Sequence, residues 1–177
     1  MRAIKLFIAI SLDGYIADTK GQIHFLENIS QIEEDNTYET FINSIDTVIL
    51  GSTTYLQVIN DLSPDDYPYK EMNSYVLSSQ TGLPLKENVT VINEDITTLI
   101  SQLKETVGQD IWLVGGASII NPLIEANLID DYHISITPYL LGEGIPLFSP
   151  KPKQFPLELL SQCAVNGMIH THYQPKK

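Results

Sequence analysis

The sequence predicts an α/β protein with a mostly parallel sheet, and three features of the chain support this class. Residues 111–114 form a continuous apolar run, which is typical of a strand buried on both faces. Gly115 and Gly116 follow at once, and a second apolar run then predicts a helix. Two further short apolar runs end in a similar way, one before Gly51 and one before Ser78. Buried strands that alternate with helices indicate a parallel sheet.

The length of the chain indicates how many domains it forms, and its net charge indicates which partners it can bind. The 177 residues are most simply one domain, spanning residues 1–177, and are enough to bury a full core. The formal net charge of −12 disfavours nucleic acid and anionic membranes as partners, because neither is attracted to an acidic protein. Any bound phosphate must therefore be held by local N–H groups and hydroxyls.

The cysteine count and the first residues indicate a cytoplasmic protein. Cys163 is the single cysteine, which excludes an intrachain disulfide and a cysteine-rich zinc site and fits a reducing compartment. Residues 1–6 lead into a strand pattern without the layout of a signal peptide. No apolar run approaches the length of a membrane span.

The first quarter of the chain predicts a strand, a turn and a helix. Residues 5–12 are mostly apolar and predict a central strand that ends at the turn pair Asp13-Gly14. Residues 30–44 predict an amphipathic helix, in which Ser30 and Glu33 have the spacing of a capping box. The apolar face of this helix comprises Ile32, Tyr38, Phe41, Ile42 and Ile45. Asp35 lies beside that face, where a solvated carboxylate is the alternative to a functional one.

The middle of the chain predicts three short strands, a loop and a helix. The strands are residues 47–50, 74–77 and 89–92. Residues 61–69 contain two prolines and three aspartates and predict a surface loop. Residues 95–107 predict a helix that Asp95 caps and Gly108 stops.

The last third predicts a helix, a long strand and a hairpin. Asn121 and Pro122 are expected to begin the regular part of the helix after the glycine pair, since proline fits the first helical position. Residues 131–141 predict a long strand, with Pro138 at a bulge or at its end. Asn166-Gly167 joins two alternating runs and is the strongest hairpin signal in the chain.

Two histidines near the C-terminus are the candidates for a metal site. His170 and His172 are two residues apart and share one face of the last predicted strand. A metal pair would need a third ligand that the sequence does not show, so no metal is predicted.

The ends of three predicted strands suggest a ligand. Glycine and hydroxyl residues follow the strands at residues 51–54, 78–80 and 115–118. If the strands are parallel, all three ends lie along the carboxyl edge of the sheet, where α/β proteins bind nucleotides. The alternative is a set of tight turns with no ligand, because the fingerprint G-x-G-x-x-G is absent.

Five stretches resemble the dihydrofolate reductase superfamily, and more narrowly the reductase domain of riboflavin biosynthesis and its small stand-alone relatives. They are SLDGYIA at residues 11–17, TVILGSTTY at 47–55, VLSSQ at 76–80, IWLVGG at 111–116 and ITPYLLGEGIPLF at 136–148. The stretches follow the order and spacing of the family from near residue 4 to near residue 173.

The resemblance implies a dihydrofolate reductase-like fold and a dinucleotide cofactor. The fold would be a mixed, mostly parallel sheet of about eight strands with helices on both faces and a C-terminal antiparallel hairpin. NADPH would lie across the three strand ends, although NADH remains an alternative. The cofactor-binding residues would be Ala9, Ile16, Gly51, Ser52, Thr53, Thr54, Leu77, Ser78, Ser79, Gln80, Val114, Gly115, Gly116, Ala117 and Ser118.

The resemblance also implies a substrate pocket beside the nicotinamide. A small pyrimidine- or pterin-like heterocycle would contact Asp13, Tyr15, Tyr38 and Tyr139. Asp35 precedes Gly51 at the spacing of the carboxylate that binds the pterin ring in dihydrofolate reductases, and it is the candidate catalytic residue.

The chain departs from the family pattern at two positions. Ser52 stands where the family carries an arginine that helps to bind the 2′-phosphate, which leaves the preference for NADPH over NADH open. Tyr15 stands where reductases of 5-amino-6-(5-phosphoribosylamino)uracil carry a lysine, which weakens the case for that phosphorylated substrate.

Two functions follow from these observations. The first is an NAD(P)H-dependent oxidoreductase that transfers hydride to a small heterocycle. The second is a non-catalytic protein that keeps the reductase fold to bind a nucleotide or a partner. Similar domains often dimerise, so a homodimer is expected, with residues 132–141 offering part of a symmetric interface.

Overall fold

An eight-stranded sheet dominates the computed structural model, which describes residues 1–150 and 154–176. Its strands are β1 (Ile4–Ile10), β3 (Ile45–Gly51), β4 (Asn73–Leu77), β5 (Val89–Ile92), β6 (Asp110–Gly115), β7 (Asp131–Ile136), β9 (Leu157–Val165) and β10 (Met168–Pro175). The two remaining strands, β2 (Tyr15–Ala17) and β8 (Ile145–Pro146), form a separate two-stranded ribbon. The order in the sheet is β5-β4-β3-β6-β1-β7-β10-β9. Among the described strands of this sheet, only β10 runs in the direction opposite to the rest, so the predicted mixed, mostly parallel sheet with a C-terminal antiparallel hairpin is confirmed.

Four short α-helices accompany the sheet. They are α1 (Thr37–Ile42), α2 (Ser52–Gln57), α3 (Ile96–Lys104) and α4 (Ala117–Glu125). A 3₁₀ turn covers His24–Leu26, and a π-helical turn, Val58–Leu62, continues α2. Within the described residues, no helix is long and apolar enough to cross a membrane.

Apolar side chains form a core on each face of the sheet. On one face, Leu6 and Leu113 pack with Ile100 of α3 and Leu123 of α4, and all four are fully buried. On the other face, an aromatic core joins Trp112 of β6 to Phe41 of α1 and Tyr55 of α2. Because both faces are covered, the central strands contain continuous apolar runs, such as residues 6–10 and 111–114, rather than alternating patterns.

Local sequence signals account for the start of α3 and for the turn between β9 and β10. The Asp95 carboxylate accepts hydrogen bonds from the backbone N–H groups of Thr97 and Thr98, which caps α3 as predicted. Asn166 and Gly167 both have positive φ angles, 53° and 77°, which is the turn geometry that twists β9 and β10 into a hairpin.

The predicted helix over residues 30–44 is wrong in its first half. Only Thr37–Ile42 is helical, and the Ser30–Glu33 capping box does not form. The backbone N–H groups of Ile32 and Glu33 instead donate to Oδ1 of Asn166 in the hairpin turn, at 2.8 Å each. Ile32 is 88% exposed, so this segment has no core contact that would favour a helix over those bonds.

Three other expectations need correction. The predicted strand over residues 131–141 ends at Ile136, because Pro138 cannot continue the ladder. Pro122 lies inside α4 rather than at its start, and the Asn121 side chain bonds the Ala117 carbonyl one turn earlier. The loop at residues 61–69 begins in the π-helical turn and buries Tyr67 and Tyr69 in the aromatic core.

Candidate functional site

The three polar strand ends lie on one edge of the sheet. Strand β3 pairs in parallel with β4 and with β6, so these three strands finish on the same side. Gly51 pairs with Leu77, and Leu50 pairs with Gly115. The predicted juxtaposition of the three junctions is therefore present.

Two of these junctions lie next to each other at their glycines. A Cβ atom on Gly51 would lie 3.7 Å from the backbone nitrogen of Gly116, and one on Gly116 would lie 3.4 Å from Oγ1 of Thr54. Gly115 has a φ of +139°, which side-chain-bearing residues rarely adopt, and the peptide bond to Gly116 is cis. Gly51 and Gly116 are the N-cap residues of α2 and α4, and neither helix has a side-chain cap. The first-turn N–H groups thus face a groove that small residues keep open.

A cleft of about 600 Å³ runs along these junctions, and we call it the main cleft. The predicted site residues that line it are Ala9, Ile16, Tyr38, Gly51, Ser52, Thr53, Thr54, Leu77, Val114, Gly115, Gly116, Ala117 and Ser118. No Asp, Glu, Lys or Arg of the described residues lines the cleft. A phosphate there would meet N–H groups and hydroxyls only.

Aromatic residues that sequence reasoning did not assign form the wall of the main cleft. Phe7, Tyr69 and Trp112 line it together with Tyr38. The Tyr38 ring lies edge-on to Phe7 and to Trp112, with ring centroids 6.0 Å apart in each pair. Phe7 and Trp112 lie within apolar strand runs, which predicted burial and gave no sign that the rings face a cleft.

A second cavity of about 350 Å³, the side pocket, adjoins the main cleft. The two share Phe7, Ala9, Leu26 and Tyr38 in their linings. Beyond these shared residues most of the lining of the side pocket is polar, and Asp35, Ser135 and His170 lie there together. The inner end of the main cleft thus continues toward three groups that can exchange hydrogen bonds with a ligand.

Asp35, Ser135 and His170 form a half-buried polar cluster. Nδ1 of His170 is 2.7 Å from Oγ of Ser135, and its Nε2 is 3.2 Å from Oδ2 of Asp35. The angle of the second contact is not that of a directed hydrogen bond, so Nε2 has no hydrogen-bond partner among the described residues. The sequence showed His170 only as half of a histidine pair, and its contact with Asp35 spans 135 residues, too far for spacing to reveal.

Asp35 is held in its ionised form. Partial burial opposes the charge, but hydrogen bonds from the side chain and backbone of Thr37, together with the charge interaction with His170, lower the pKa of Asp35 below its ordinary value. The backbone N–H of Thr37 donates to Oδ1 at 2.9 Å, at the start of α1. Oδ2 is the oxygen directed toward His170.

The third junction lies beyond the main cleft. Ser78, Ser79 and Gln80 follow Leu77 at the end of β4, and Ser79 and Gln80 are exposed. Oγ of Ser78 accepts a hydrogen bond from the backbone N–H of Gln80 at 2.9 Å. Their assignment to the adenosine phosphate stays a prediction.

Three predicted substrate residues line neither of these two cavities. Asp13 accepts hydrogen bonds from the Ser11 hydroxyl and the backbone N–H groups of Leu141 and Gly142, which lower its pKa and tie down the loop after β7. The hydroxyls of Tyr15 and Tyr139 each face a backbone carbonyl at 3.5 Å, Tyr15 that of Gly142 and Tyr139 that of Asn28. The contact of all three residues with substrate remains a prediction, and the Asp13 carboxylate also holds the loop after β7.

The structure places two further potential metal ligands, Asp131 and His133, beside His172 of β10, whereas His170 does not belong to this cluster. His172 contacts Asp131, with Nε2 2.5 Å from Oδ1, and its ring stacks on His133 with centroids 4.0 Å apart and planes 16° apart. Parallel rings aim their nitrogen lone pairs in parallel planes, so both cannot point at one ion in this arrangement. Burial, and then the neighbouring His172, lower the pKa of His133 to about 4, so the stacked ring is neutral at pH 7.

The sheet order, the C-terminal hairpin and the cleft at the carboxyl edge define a protein with the fold of the dihydrofolate reductases. The chain belongs to the RibD C-terminal domain family, which matches residues 2–171. The resemblance inferred from the sequence motifs is confirmed.

Three known proteins illustrate this relationship. YwjB of Bacillus subtilis (strain 168), itself uncharacterized, is 36% identical over 172 residues, which cover 97% of both chains. The crystal structure of a protein from Shewanella sp. PV-4, which is provisionally described as a riboflavin biosynthesis protein, matches with a TM-score of 0.86 at 29% identity, and the match covers 99% of both chains. Dihydrofolate reductase from Enterococcus faecalis, solved as a complex with NADP(H), has a TM-score of 0.66 at 15% identity and covers 99% of this chain and 97% of that one. The last likeness shows the fold alone.

Proposed function

We propose that this protein is an NADPH-dependent reductase that transfers hydride to a small pyrimidine- or pterin-like heterocycle. The observation that carries the proposal is the continuity of the main cleft with the side pocket. An uncharged groove edged by helix N-termini leads directly to an ionised carboxylate. A reductase needs both parts, a dinucleotide groove and a polar site beside the nicotinamide.

The main cleft fits the cofactor by the chemistry of its donors. Gly115–Ser118 and Ser52–Thr54 offer N–H groups and hydroxyls to a pyrophosphate, and the absent side chains of Gly51 and Gly116 leave room for it. Ala9 and Ile16 provide an apolar surface for the nicotinamide. When bound, NADPH would supply the hydride.

Asp35 would bind and orient the substrate. Its carboxylate can accept hydrogen bonds from ring N–H or amino groups, and the Asp35–His170 contact offers a site where a proton can be held near the reacting ring. Tyr38 and Phe7 would pack against the ring and exclude water from one side of it.

A non-catalytic nucleotide-binding protein is the second candidate. One observation favours it: Asp35 already has partners in Thr37 and His170, and such a carboxylate can serve structure alone. The two candidates share the cofactor site and differ in whether a heterocycle oxidises the bound NADPH.

A thermal titration with NADPH and NADH tests the proposal. Cofactor at about 100 times its Kd should stabilise the folded chain by about 2.7 kcal/mol, which raises Tm by about 5–10 °C. Thr54→Val, in the main cleft, should reduce the shift, whereas Thr98→Val, on the exposed side of α3, should not. A Tm that neither nucleotide changes would overturn the reductase proposal.

The choice between the two cofactors depends on the third junction. With Ser52 in place of the family's arginine, the 2′-phosphate would depend on Ser78, Ser79 and Gln80. We propose that these neutral donors give NADPH a modest preference over NADH. Equal Tm shifts with the two nucleotides would contradict this preference and leave the cofactor site intact.

We also propose a cytoplasmic homodimer, with a changed interface. Residues 132–136 belong to β7, which lies between β1 and β10 and has no free edge for pairing with a second copy, so we place the interface elsewhere. Strand β9 is at the edge of the sheet, and Leu157, Leu159 and Leu160 on it are exposed. Sedimentation as a monomer at micromolar concentration would contradict the dimer.

A further inference from the structure

We infer that the substrate of this site carries no phosphate or carboxylate group: it is a neutral or cationic heterocycle. The inference rests on the proposed reductase function and narrows its substrate class. It comes from the charges around the side pocket, where the part of the substrate away from the nicotinamide would lie.

The negative charges of the side pocket come from two carboxylates. Glu33 and Asp35 line it, and no lysine or arginine of the described residues lines either it or the main cleft. The remaining polar lining is neutral amide and hydroxyl, apart from His170. An anionic substituent here would approach two negative charges without a compensating ion pair.

Four cations of the described residues pair with carboxylates outside the side pocket. Arg2, Lys5 and Lys104 pair with Asp46, Asp110 and Asp130. These pairs lie at the amino ends of the strands, on the edge of the sheet opposite the main cleft. Lys5 also lines a neighbouring groove of about 780 Å³, the outer groove, which shares Asp35 and His170 with the side pocket, and there its charge is paired with Asp110. Lys70 pairs with Asp66 on the loop before β4.

Lys20, like Lys70, is next in the chain to a residue of the main cleft. It precedes Gly21, which lines the cleft. It lies beside Asp18, whose pKa is lowered by the hydrogen bond from the Gln22 backbone and further by the charge of Lys20. Its charge is thus offset by a carboxylate on its own loop.

The side pocket still has the groups that recognise an uncharged ring. Nε2 of His170 is buried without a hydrogen-bond partner, and His170 is 8% exposed. Oδ2 of Asp35 lies beside it. A ring edge with N–H groups and a carbonyl or imine nitrogen would satisfy both, and no charge on the ligand is required.

Equilibrium binding to the NADP⁺-loaded protein tests the inference with two matched pairs. The first pair is 5-amino-6-(5-phosphoribosylamino)uracil and its dephosphorylated form, and the second is dihydrofolate and dihydropterin, which lacks the carboxylate tail. The uncharged member of each pair should bind about tenfold more tightly. Higher ionic strength should narrow the ratio, because salt screens the repulsion.

Two charge reversals separate a local effect from the net charge. Glu33→Lys should improve binding of the phosphorylated compound severalfold more than that of its neutral form. Glu34→Lys changes the net charge equally. Glu33 lines both the side pocket and the outer groove, whereas Glu34 lines the outer groove and not the side pocket, so the Glu34 variant should leave the ratio unchanged. The backbone bonds of Glu33 to Asn166 do not involve its side chain, so the variant should fold.

The outcomes distinguish this inference from the reductase proposal. Equal or tighter binding of the anionic members overturns the inference while the reductase proposal stands. Binding of NADPH with no binding of any of the four heterocycles also overturns it. Failure to bind NADPH at all instead overturns the reductase proposal on which it rests.

Discussion

Replacing Asp35 with asparagine removes the charge of this residue and keeps one of its hydrogen bonds. The amide oxygen can still accept from the Thr37 backbone N–H, now 2.9 Å from Oδ1, so the start of α1 is preserved. The variant loses the negative charge 3.2 Å from His170. Because this contact is partly buried, we expect its loss to lower the free energy of unfolding by about 1 kcal/mol.

The effect on turnover should be much larger than the effect on stability. If Asp35 orients the substrate and holds a proton near the ring, its removal should lower kcat by about 10²- to 10⁴-fold. Affinity for NADPH should not change, since Asp35 does not line the main cleft. Steady-state oxidation of NADPH and a thermal titration with NADPH measure the two quantities separately.

Two further variants are compared with Asp35→Asn: Asp35→Ala tests the hydrogen bond to Thr37, and Glu34→Gln is the control for loss of a neighbouring charge. The alanine variant also loses the Thr37 hydrogen bond, which should cost about a further 1 kcal/mol. Glu34 is outside the side pocket, so its glutamine variant should keep full turnover. Unimpaired turnover in Asp35→Asn, or equal stability of the asparagine and alanine variants, would refute the reasoning.

Three further predictions concern stability and the shape of the cleft. Asp95→Ala removes the cap of α3 and should lower the free energy of unfolding by about 1 kcal/mol, and an unchanged denaturation midpoint would contradict this. Burial lowers the pKa of His133 from 6.5 to about 4, so the unfolded chain binds a proton in that window that the folded chain does not. Stability should therefore decline as the pH falls through it, and denaturation of His133→Phe at several pH values should show a smaller decline. Gly144→Ala would place a methyl group against the Ala17 carbonyl oxygen and part β2 from β8, so it should weaken NADPH binding. Gly142→Ala is the control for backbone strain, because Gly142 also has a positive φ, +74°, but a methyl group there meets no atom within 4 Å. Equal affinities in these two variants would show that the ribbon does not shape the cleft.

The central sheet could be predicted because its signals are local. Runs such as residues 111–114 are apolar on both faces, and the Asp95 cap and the Asn166-Gly167 turn depend on neighbouring residues only. The carboxyl-edge cleft followed from the parallel direction of the strands. Residues 30–36 were misjudged because bonds to Asn166, more than 130 residues away, compete with helix formation.

The polar part of the site was less accessible to sequence reasoning. Asp35 was found only through its spacing to Gly51 in a family pattern. Its position beside His170 and Ser135 depends on the antiparallel register of β10 against β7, which pairs His170 with Ser135. No periodicity within one strand specifies that register.

The order of the strands determines when the sheet can assemble during synthesis. Strand β1 emerges first, but its partners are β6 and β7, which begin at Asp110 and Asp131. Until those residues leave the ribosome, the apolar strand β1 has neither of its two neighbours in the sheet. Strands β3, β4 and β5 can already pair with one another at that stage. Folding therefore passes through a stage in which the first strand is exposed to aggregation, and closure of the sheet is limited by long-range contacts rather than by its helices.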